Sequence, residues 1–203
     1  MEGKVLSLVR PLPAGAERPL EGRDDDELML LARGGRAAAF DELVRRHQAA
    51  AMGVAYRYLG HREAAQDAAQ NAFIEVFRRV GDYESQGKFR AYFHRVLLNQ
   101  CKMSSRSRRT RLRHEERLAR EEDGGGHAPI ADEQILERER DRRVEQAVLR
   151  LSDKLRAVTA LHFSAGMSHA EIAEVLRIPA GTVKSRLSAA LVALRDLLSE
   201  EAR

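Results

Sequence analysis

Residues 166–187 read GMSHAEIAEVLRIPAGTVKSRL. Two short helical patterns flank the pair Ile178-Pro179. Proline lacks an N–H and biases the residue before it away from helical geometry, so the first helix must end near Leu176. Gly166 suits a left-handed residue closing the preceding helix. Ser168 is a good N-cap with Glu171 three residues on, which makes a capping box, and Met167 and Ile172 occupy the hydrophobic-staple positions. Ile172, Ala173 and Leu176 form the inner face, and small Ala173 lets the next helix approach closely. Ala180-Gly181-Thr182 then opens a second helix with Val183, Leu187, Leu191 and Leu194 inward. Two helices joined by so short a turn are a helix-turn-helix. Its outer residues Thr182, Lys184, Ser185 and Arg186 lie at the start of the second helix, where such a motif meets base edges and phosphates in a major groove. A helical hairpin with a solvated polar face carries the same pattern, so the motif alone does not decide function. The residue after Leu176 is expected at positive φ. Arg177 there implies roughly 1 kcal/mol of strain.

The same helical grammar runs through most of the 203 residues. Ala, Leu, Arg and Glu dominate and strand-type alternation is scarce, so the expected fold class is all-α. Residues 1–23 are expected to be a flexible tail. Residues 24–112 are expected to form a four-helix bundle. DDDELMLLARGG has acids at its start and Gly34-Gly35 at its end, as helix dipole and C-cap rules require. The next helix carries Phe40, Leu43, Val44, Ala51, Val54, Ala55 and Tyr58 on one stripe and stops at Gly60. The third places Ala65, Ala69, Phe73, Val76, Phe77 and Val80 inward and ends at Gly81. The fourth turns Phe89, Tyr92, Phe93, Val96 and Leu97 inward over its first half, then becomes polar and basic. At that period Tyr92 and Phe93 read as core before they read as base-stacking platforms. Residues 113–138 contain EEDGGGHAPIADEQ, which cannot build a core and is expected to be a flexible acidic linker. Residues 139–200 form the second small helical domain.

Charge is unevenly placed. Lys88 to Arg120 holds 11 Lys or Arg against two acids, whereas Glu121 to Arg143 holds eight acids against four Arg. A basic block followed by an acidic one departs from an evenly solvated surface. The single cysteine, Cys101, excludes a disulfide framework and fits a reducing compartment. It is expected to be a small, partly buried residue. No apolar run approaches the roughly 20 residues needed to span a bilayer, and the N-terminus has too short an apolar core for a secretory signal. The chain is expected to be cytoplasmic, without membrane insertion. His94 with Cys101, and His162 with His169, supply no four-ligand set, so neither metal nor other cofactor is expected. A nuclease or recombinase would need clustered acids or a nucleophile beside Arg or His, and no such set is present, so no catalytic residues are assigned.

SHAEIAEVLRIPAGTVKSRLSAALVALRDLL resembles region 4 of the extracytoplasmic-function (ECF) sigma factors of the sigma-70 family. DDELMLLARGGRAAAFDELVRRHQ resembles the start of region 2. REAAQDAAQNAFIEVFRRVGDY resembles the core-binding segment, and GKFRAYFHRVLLNQCKMSSRSRR the promoter-melting segment. The resemblance covers most of residues 24–200. It implies a non-enzymatic sigma factor that binds core RNA polymerase, directs it to promoter DNA and helps open the duplex. Region 2 would dock on the polymerase β′ coiled coil through Asp67, Gln70, Asn71 and Phe73, and the β subunit is a further implied contact. Asn71 stands where relatives usually carry Glu. The loop YESQGKF would receive an extruded base of the −10 element. Lys88, Arg95, Asn99, Lys102, Arg106, Arg108 and Arg109 would read or grip that strand, joined in supplying charge by Arg90. Thr182, Lys184, Ser185 and Arg186 would read the −35 element as duplex. Relatives often place more basic or aromatic residues where this chain has Ser188, Ala189, Ala190 and Leu191. Within polymerase the acidic linker would lie in its positively charged channel, although a plain tether explains it equally. The resemblance also implies an anti-sigma partner. The rival function is a conventional helix-turn-helix transcription regulator with an N-terminal partner-binding domain. A second basic surface in the first domain argues against it.

Overall fold

The computed structural model describes residues 19–118 and 133–200, with the backbone alone described for 109–118 and 133–141. Eight α-helices follow in order among the described residues, without strands: α1 (Asp25–Arg33), α2 (Ala37–Leu59), α3 (Arg62–Arg78), α4 (Phe89–Leu118), α5 (Glu133–Arg150), α6 (Asp153–Ala165), α7 (His169–Leu176) and α8 (Ala180–Glu200). The part of the expected linker from 119 to 132, and the tail up to residue 18, lie outside the described residues.

Helix α1 begins at a complete capping box: the Asp24 side chain accepts from Glu27 N at 2.7 Å and the Glu27 side chain accepts from Asp24 N. Helix α2 ends, as expected, at a left-handed Gly60. The α3 stop differs. The helix closes at Arg78, and Gly81 sits inside a 3-10 turn over Val80–Asp82 without positive φ. Phe77 is half exposed rather than inward, because Ala68, Ala72 and Val76 supply the buried face of α3. Small alanines let α3 lie close to α2 and α4, and that leaves no depth for a phenyl ring at the helix end.

The two helical groups pack against each other. Buried residues of α1–α4 and of α6–α8 belong to one continuous core. Helix α2 lies against α5 and α6, and α4 lies against α7. Two glycines allow the α2 contact. A Cβ at Gly53 would come within 3.3 Å of Ser164 Cβ, and one at Gly60 would meet Leu149 Cδ1 at 2.3 Å. Around them Arg57 Nε donates to Ser164 Oγ at 2.8 Å and Tyr56 OH to Glu145 Oε2 at 3.0 Å. The Arg156 guanidinium lies 5.5 Å from the Tyr58 ring centre, a cation–π distance.

Candidate nucleic-acid and partner interfaces

The helix-turn-helix forms as the residues dictate. Ser168 Oγ accepts from Glu171 N at 3.2 Å, and Glu171 Oε2 accepts from Ser168 N at 2.8 Å. Met167 and Ile172 are both buried. Arg177 occupies the left-handed region at φ 54°, alone among the described non-glycine residues. On α8, Val183, Leu187 and Ala190 face inward, whereas Leu191 is 53 % exposed. The buried row thus steps by four and then three, past Ala190 rather than Leu191. Lys184 and Ser185 stand exposed on the first turns of α8, with Thr182 and Arg186 half-buried beside them. Ser185 Oγ donates to Thr182 O at 3.0 Å, and among the described residues no acid pairs with Lys184 or Arg186.

The basic side of α4 is placed differently. Lys88 Nζ lies 2.8 Å from Glu174 Oε1, and Arg90 Nη1 lies 2.5 Å from Glu171 Oε1. Arg90 also donates to Ala165 O, before the N-terminus of α7. Arg95 donates to Glu174 O at 2.7 Å and Val175 O at 3.2 Å, in the last turn of α7. Three cations read from sequence as phosphate contacts therefore hold α7 at both ends. Carbonyls at a helix C-terminus are unsatisfied within the helix and carry partial negative charge, which suits the Arg95 guanidinium. Asn99, Arg106 and Arg108 are exposed further along α4 and Lys102 is half-buried; the Arg109 side chain lies outside the described residues. Between the Tyr83–Phe89 loop and α7 lies a polar pocket of about 590 Å³. Tyr83, Tyr92, Lys88 and Arg95 line one side, with Glu174 and Arg177 opposite. Phe93 is fully buried and packs on Phe73 at 4.6 Å, so it belongs to the core.

A second surface lies between α2 and α3. An open groove of about 970 Å³ is lined by Val44, Met52, Gln70, Phe73, Ile74 and Phe77, among others. Ile74 and Phe77 are exposed on its rim. Asp67, Gln70, Asn71 and Ile74 share one face at helical spacing, and the first three are solvent-exposed. Exposed apolar residues grouped at a groove mark an interaction surface better than single ones do.

No group of three or more potential metal ligands exists among the described residues. Cys101 is fully buried, and burial pushes its thiol up to about 12. Burial likewise drives the His94 imidazole down to about 4. Its Nδ1 bonds Arg90 O at 2.9 Å, and its buried Nε2 finds no hydrogen-bond partner among the described residues.

Residues 43–111 match Sigma-70 region 2, and residues 141–194 match Sigma-70, region 4. The chain is 32 % identical over 176 residues to the ECF RNA polymerase sigma factor SigM of Mycobacterium tuberculosis, covering 87 % of this chain and 85 % of that protein. It belongs to the ECF sigma factors. The RNA polymerase sigma factor CnrH of Cupriavidus metallidurans is 32 % identical over 183 residues, covering 87 % of this chain and 95 % of that one. A solved structure of CnrH in complex with the cytosolic domain of CnrY superposes with a TM-score of 0.67 at 25 % identity, covering 87 % of this chain and 97 % of CnrH. RpoE of Bartonella quintana, solved with the anti-sigma factor NepR, shares the fold at a TM-score of 0.60 and 20 % identity, over 79 % of this chain and 96 % of RpoE. The family is one of transcription initiation factors. Among the described residues of this sigma factor no helix is long and apolar enough to cross a membrane.

Sequence reasoning missed three features of these surfaces. Ile74 and Phe77 project as an apolar rim, which a strict inward stripe conceals. Glu171 and Glu174 serve as partners of α4 cations, a long-range pairing with no local signal. Asp26 binds the Tyr83–Phe89 loop, and only its place within the four-acid run Asp24–Glu27 could have drawn notice.

Proposed function

We propose that this sigma factor docks on the β′ coiled coil of core polymerase through the α2–α3 groove and reads promoter DNA with two other surfaces. The observation that carries the docking is the apolar rim of Ile74 and Phe77 beside Gln70, next to exposed Asp67 and Asn71. Region 4 takes the −35 element as duplex, with Thr182, Lys184, Ser185 and Arg186 entering the major groove. Region 2 takes the −10 element as single strand. Base extrusion costs a few kcal/mol of unstacking and unpairing. Phosphate contacts from Lys88, Arg95, Lys102, Arg106, Arg108 and Arg109 offset it through counterion release, and Asn99 contributes base contact. Because Lys88, Arg90 and Arg95 now hold α7, strand capture requires α7 to leave α4. The chain acts in the cytoplasm, carries no catalysis or cofactor of its own, and divides into a tail (1–23), region 2 (24–112), a linker (113–138) and region 4 (139–200). The β subunit is a further polymerase contact. Likeness to CnrH, solved with the cytosolic domain of CnrY, supports an anti-sigma partner.

The test is a pull-down with purified core polymerase, followed by transcription on a promoter library with permanganate probing of opened thymines. Asp67→Ala with Gln70→Ala, and separately Phe77→Ala, should abolish capture while circular dichroism stays unchanged. Capture at the wild-type level by both variants refutes the docking surface. Promoter binding without polymerase, and no opening with it, would favour the conventional regulator.

A further inference from the structure

Three consecutive aspartates, Asp24 to Asp26, stand at the start of α1, and each has a different task. Asp24 caps the helix. Asp25 pairs with Arg46 at 3.1 Å and with His47 at 2.7 Å. Asp26 is buried and points away from its own helix toward the loop between α3 and α4. Its Oδ1 accepts from Tyr83 OH at 2.6 Å, Ser85 Oγ at 3.2 Å, Gln86 N at 3.2 Å and Gly87 N at 3.1 Å. Its Oδ2 accepts from Phe89 N at 3.1 Å. One carboxylate thus gathers five donors from seven consecutive residues. Arg33, at the other end of α1, donates to Tyr83 O at 3.2 Å and fixes the start of the same loop.

This loop has no regular structure beyond the turn that precedes it, and Glu84, Ser85, Gln86 and Lys88 face solvent. Its shape comes from Asp26. Helix α1 is a rigid base for that carboxylate, since Leu28 and Met29 are fully buried. We propose that Asp26 is a positioning residue that presets the Tyr83–Phe89 loop for an extruded −10 base and so governs base selectivity rather than grip. The proposal rests on the reading of that loop as the base receiver. Selectivity among bases needs polar groups fixed before the base arrives, because a loop that must order itself on binding loses affinity to that ordering. Backbone N–H groups of Gln86 and Gly87, bonded to Asp26, hold the peptide planes and leave the exposed side chains to meet the base. Grip lies elsewhere, in the cations of α4, and does not pass through Asp26. Burial alone would raise the Asp26 carboxyl, yet Tyr83 and the backbone donors outweigh it and hold the group below the usual aspartate range. It stays an acceptor throughout the physiological range.

The test uses holoenzyme assembled from core polymerase and the full chain. Four chains are compared: wild type, Asp26→Asn, Tyr83→Phe with Ser85→Ala, and Gln86→Ala. Binding is measured on fork-junction DNA randomised at the non-template −10 positions, giving a base-preference ratio, and repeated over a salt series. The asparagine offers one acceptor oxygen and aims an amide N–H₂ at groups that are themselves donors. Asp26→Asn should flatten the preference by about fivefold, with mean affinity and salt slope close to wild type. The double variant, which removes two donors and keeps the carboxylate, should shift preference the same way by less. It also carries the test alone if Asp26→Asn melts below the assay temperature. Wild-type preference in the carboxylate and donor variants overturns the proposal, as does a loss of affinity equal for every sequence. Gln86→Ala separates the two levels. A shifted preference there with none on Asp26→Asn refutes Asp26 alone. No shift in any variant refutes the loop as base receiver, and Asp26 falls with it.

Discussion

Replacing Glu171 and Glu174 together by glutamine should shift this sigma factor toward an open form. The change removes two charge pairs between α4 and α7, Lys88–Glu174 at 2.8 Å and Arg90–Glu171 at 2.5 Å. It leaves the α7 N-cap in place, because glutamine serves at the third position of a capping box. These side chains are between 37 % and 56 % exposed, so solvent screens both pairs. Exposed pairs contribute about 0.2–1 kcal/mol each, so the double change weakens closure by roughly 1 kcal/mol. At about 1.4 kcal/mol per tenfold, the closed-to-open ratio falls about fivefold. The Arg95 bonds to Glu174 O and Val175 O persist, as does the packing of α2 on α6, so closure is biased rather than abolished. Energy transfer between dyes on cysteines placed at exposed Gln66 and Ser188 reads opening directly. Buried Cys101, with its thiol raised to about 12, does not compete for the label. Affinity for a single-stranded −10 oligonucleotide should rise by about the same factor while the open form is the minor one. Glu63→Gln, exposed in the first turn of α3 and outside both pairs and the Tyr83–Phe89 loop, controls for simple loss of negative charge. Unchanged energy transfer, with a DNA gain no larger than that of the control, refutes the role of the two pairs.

The remaining predictions concern stability. Burial holds His94 down to about 4 from an ordinary 6.5, so between those values the unfolded chain takes up a proton that the folded chain refuses, and stability falls as pH drops. Over about 2.5 pH units this amounts to at most roughly 3 kcal/mol. Urea unfolding at pH 7 and pH 5 should show that slope in wild type and not in His94→Leu, and equal slopes would sink the assignment. Asp25 and Asp26, held below the usual aspartate range, lose their contributions only at lower pH, as it falls through their folded values, and do not enter that window. Arg177→Gly relieves a left-handed φ of 54° and should stabilise by about 1 kcal/mol, raising Tm by about 2–4 °C; an unchanged or lower Tm refutes the strain. Gly60→Ala adds strain of about 1–2 kcal/mol at φ 72° and drives Leu149 from its seat, so it should lower Tm and loosen α5 from α2; a melt identical to wild type refutes this.

Local chemistry was legible wherever a residue acts on its own helix. The Ser168–Glu171 box, the left-handed Gly60, Gly166 and Arg177, and the break before Pro179 each follow from bonds within a few residues of chain. The inward stripes were legible while a helix stayed covered and failed where cover ended. Phe77 and Leu191 continue the apolar period but stay about half exposed, Phe77 with only one edge covered by Phe40 of α2, so period alone misassigns them. Interfaces resisted for a further reason. A basic residue on an amphipathic helix is read as solvent-facing or DNA-facing, and nothing local to Lys88, Arg90 or Arg95 announces partners some eighty residues away, acids for the first two and helix-end carbonyls for Arg95. Asp26 was hidden by the same logic, since the dipole rule already accounts for an acid in the first turn and gives no cause to look further.

The pairing of α4 with α7 bears on how the two halves of this sigma factor cooperate. Helix α7 is the first helix of the helix-turn-helix, so its position sets where α8 points. The cations that hold it are those proposed to take the −10 strand. One set of charges therefore has two exclusive partners, an acidic helix of the same chain or a polyanion from outside. Exclusive binding is coupling, and coupling is reciprocal. If a −10 strand displaces α7 by some factor in free energy, holding region 4 away from α4 must tighten strand binding by that same factor. Reading of the −35 duplex, which draws α8 and with it α7 to a separate stretch of DNA, would then free Lys88, Arg90 and Arg95 where melting requires them. Duplex recognition and strand capture would thus be linked through one electrostatic exchange, without any long-range change in the region 2 bundle.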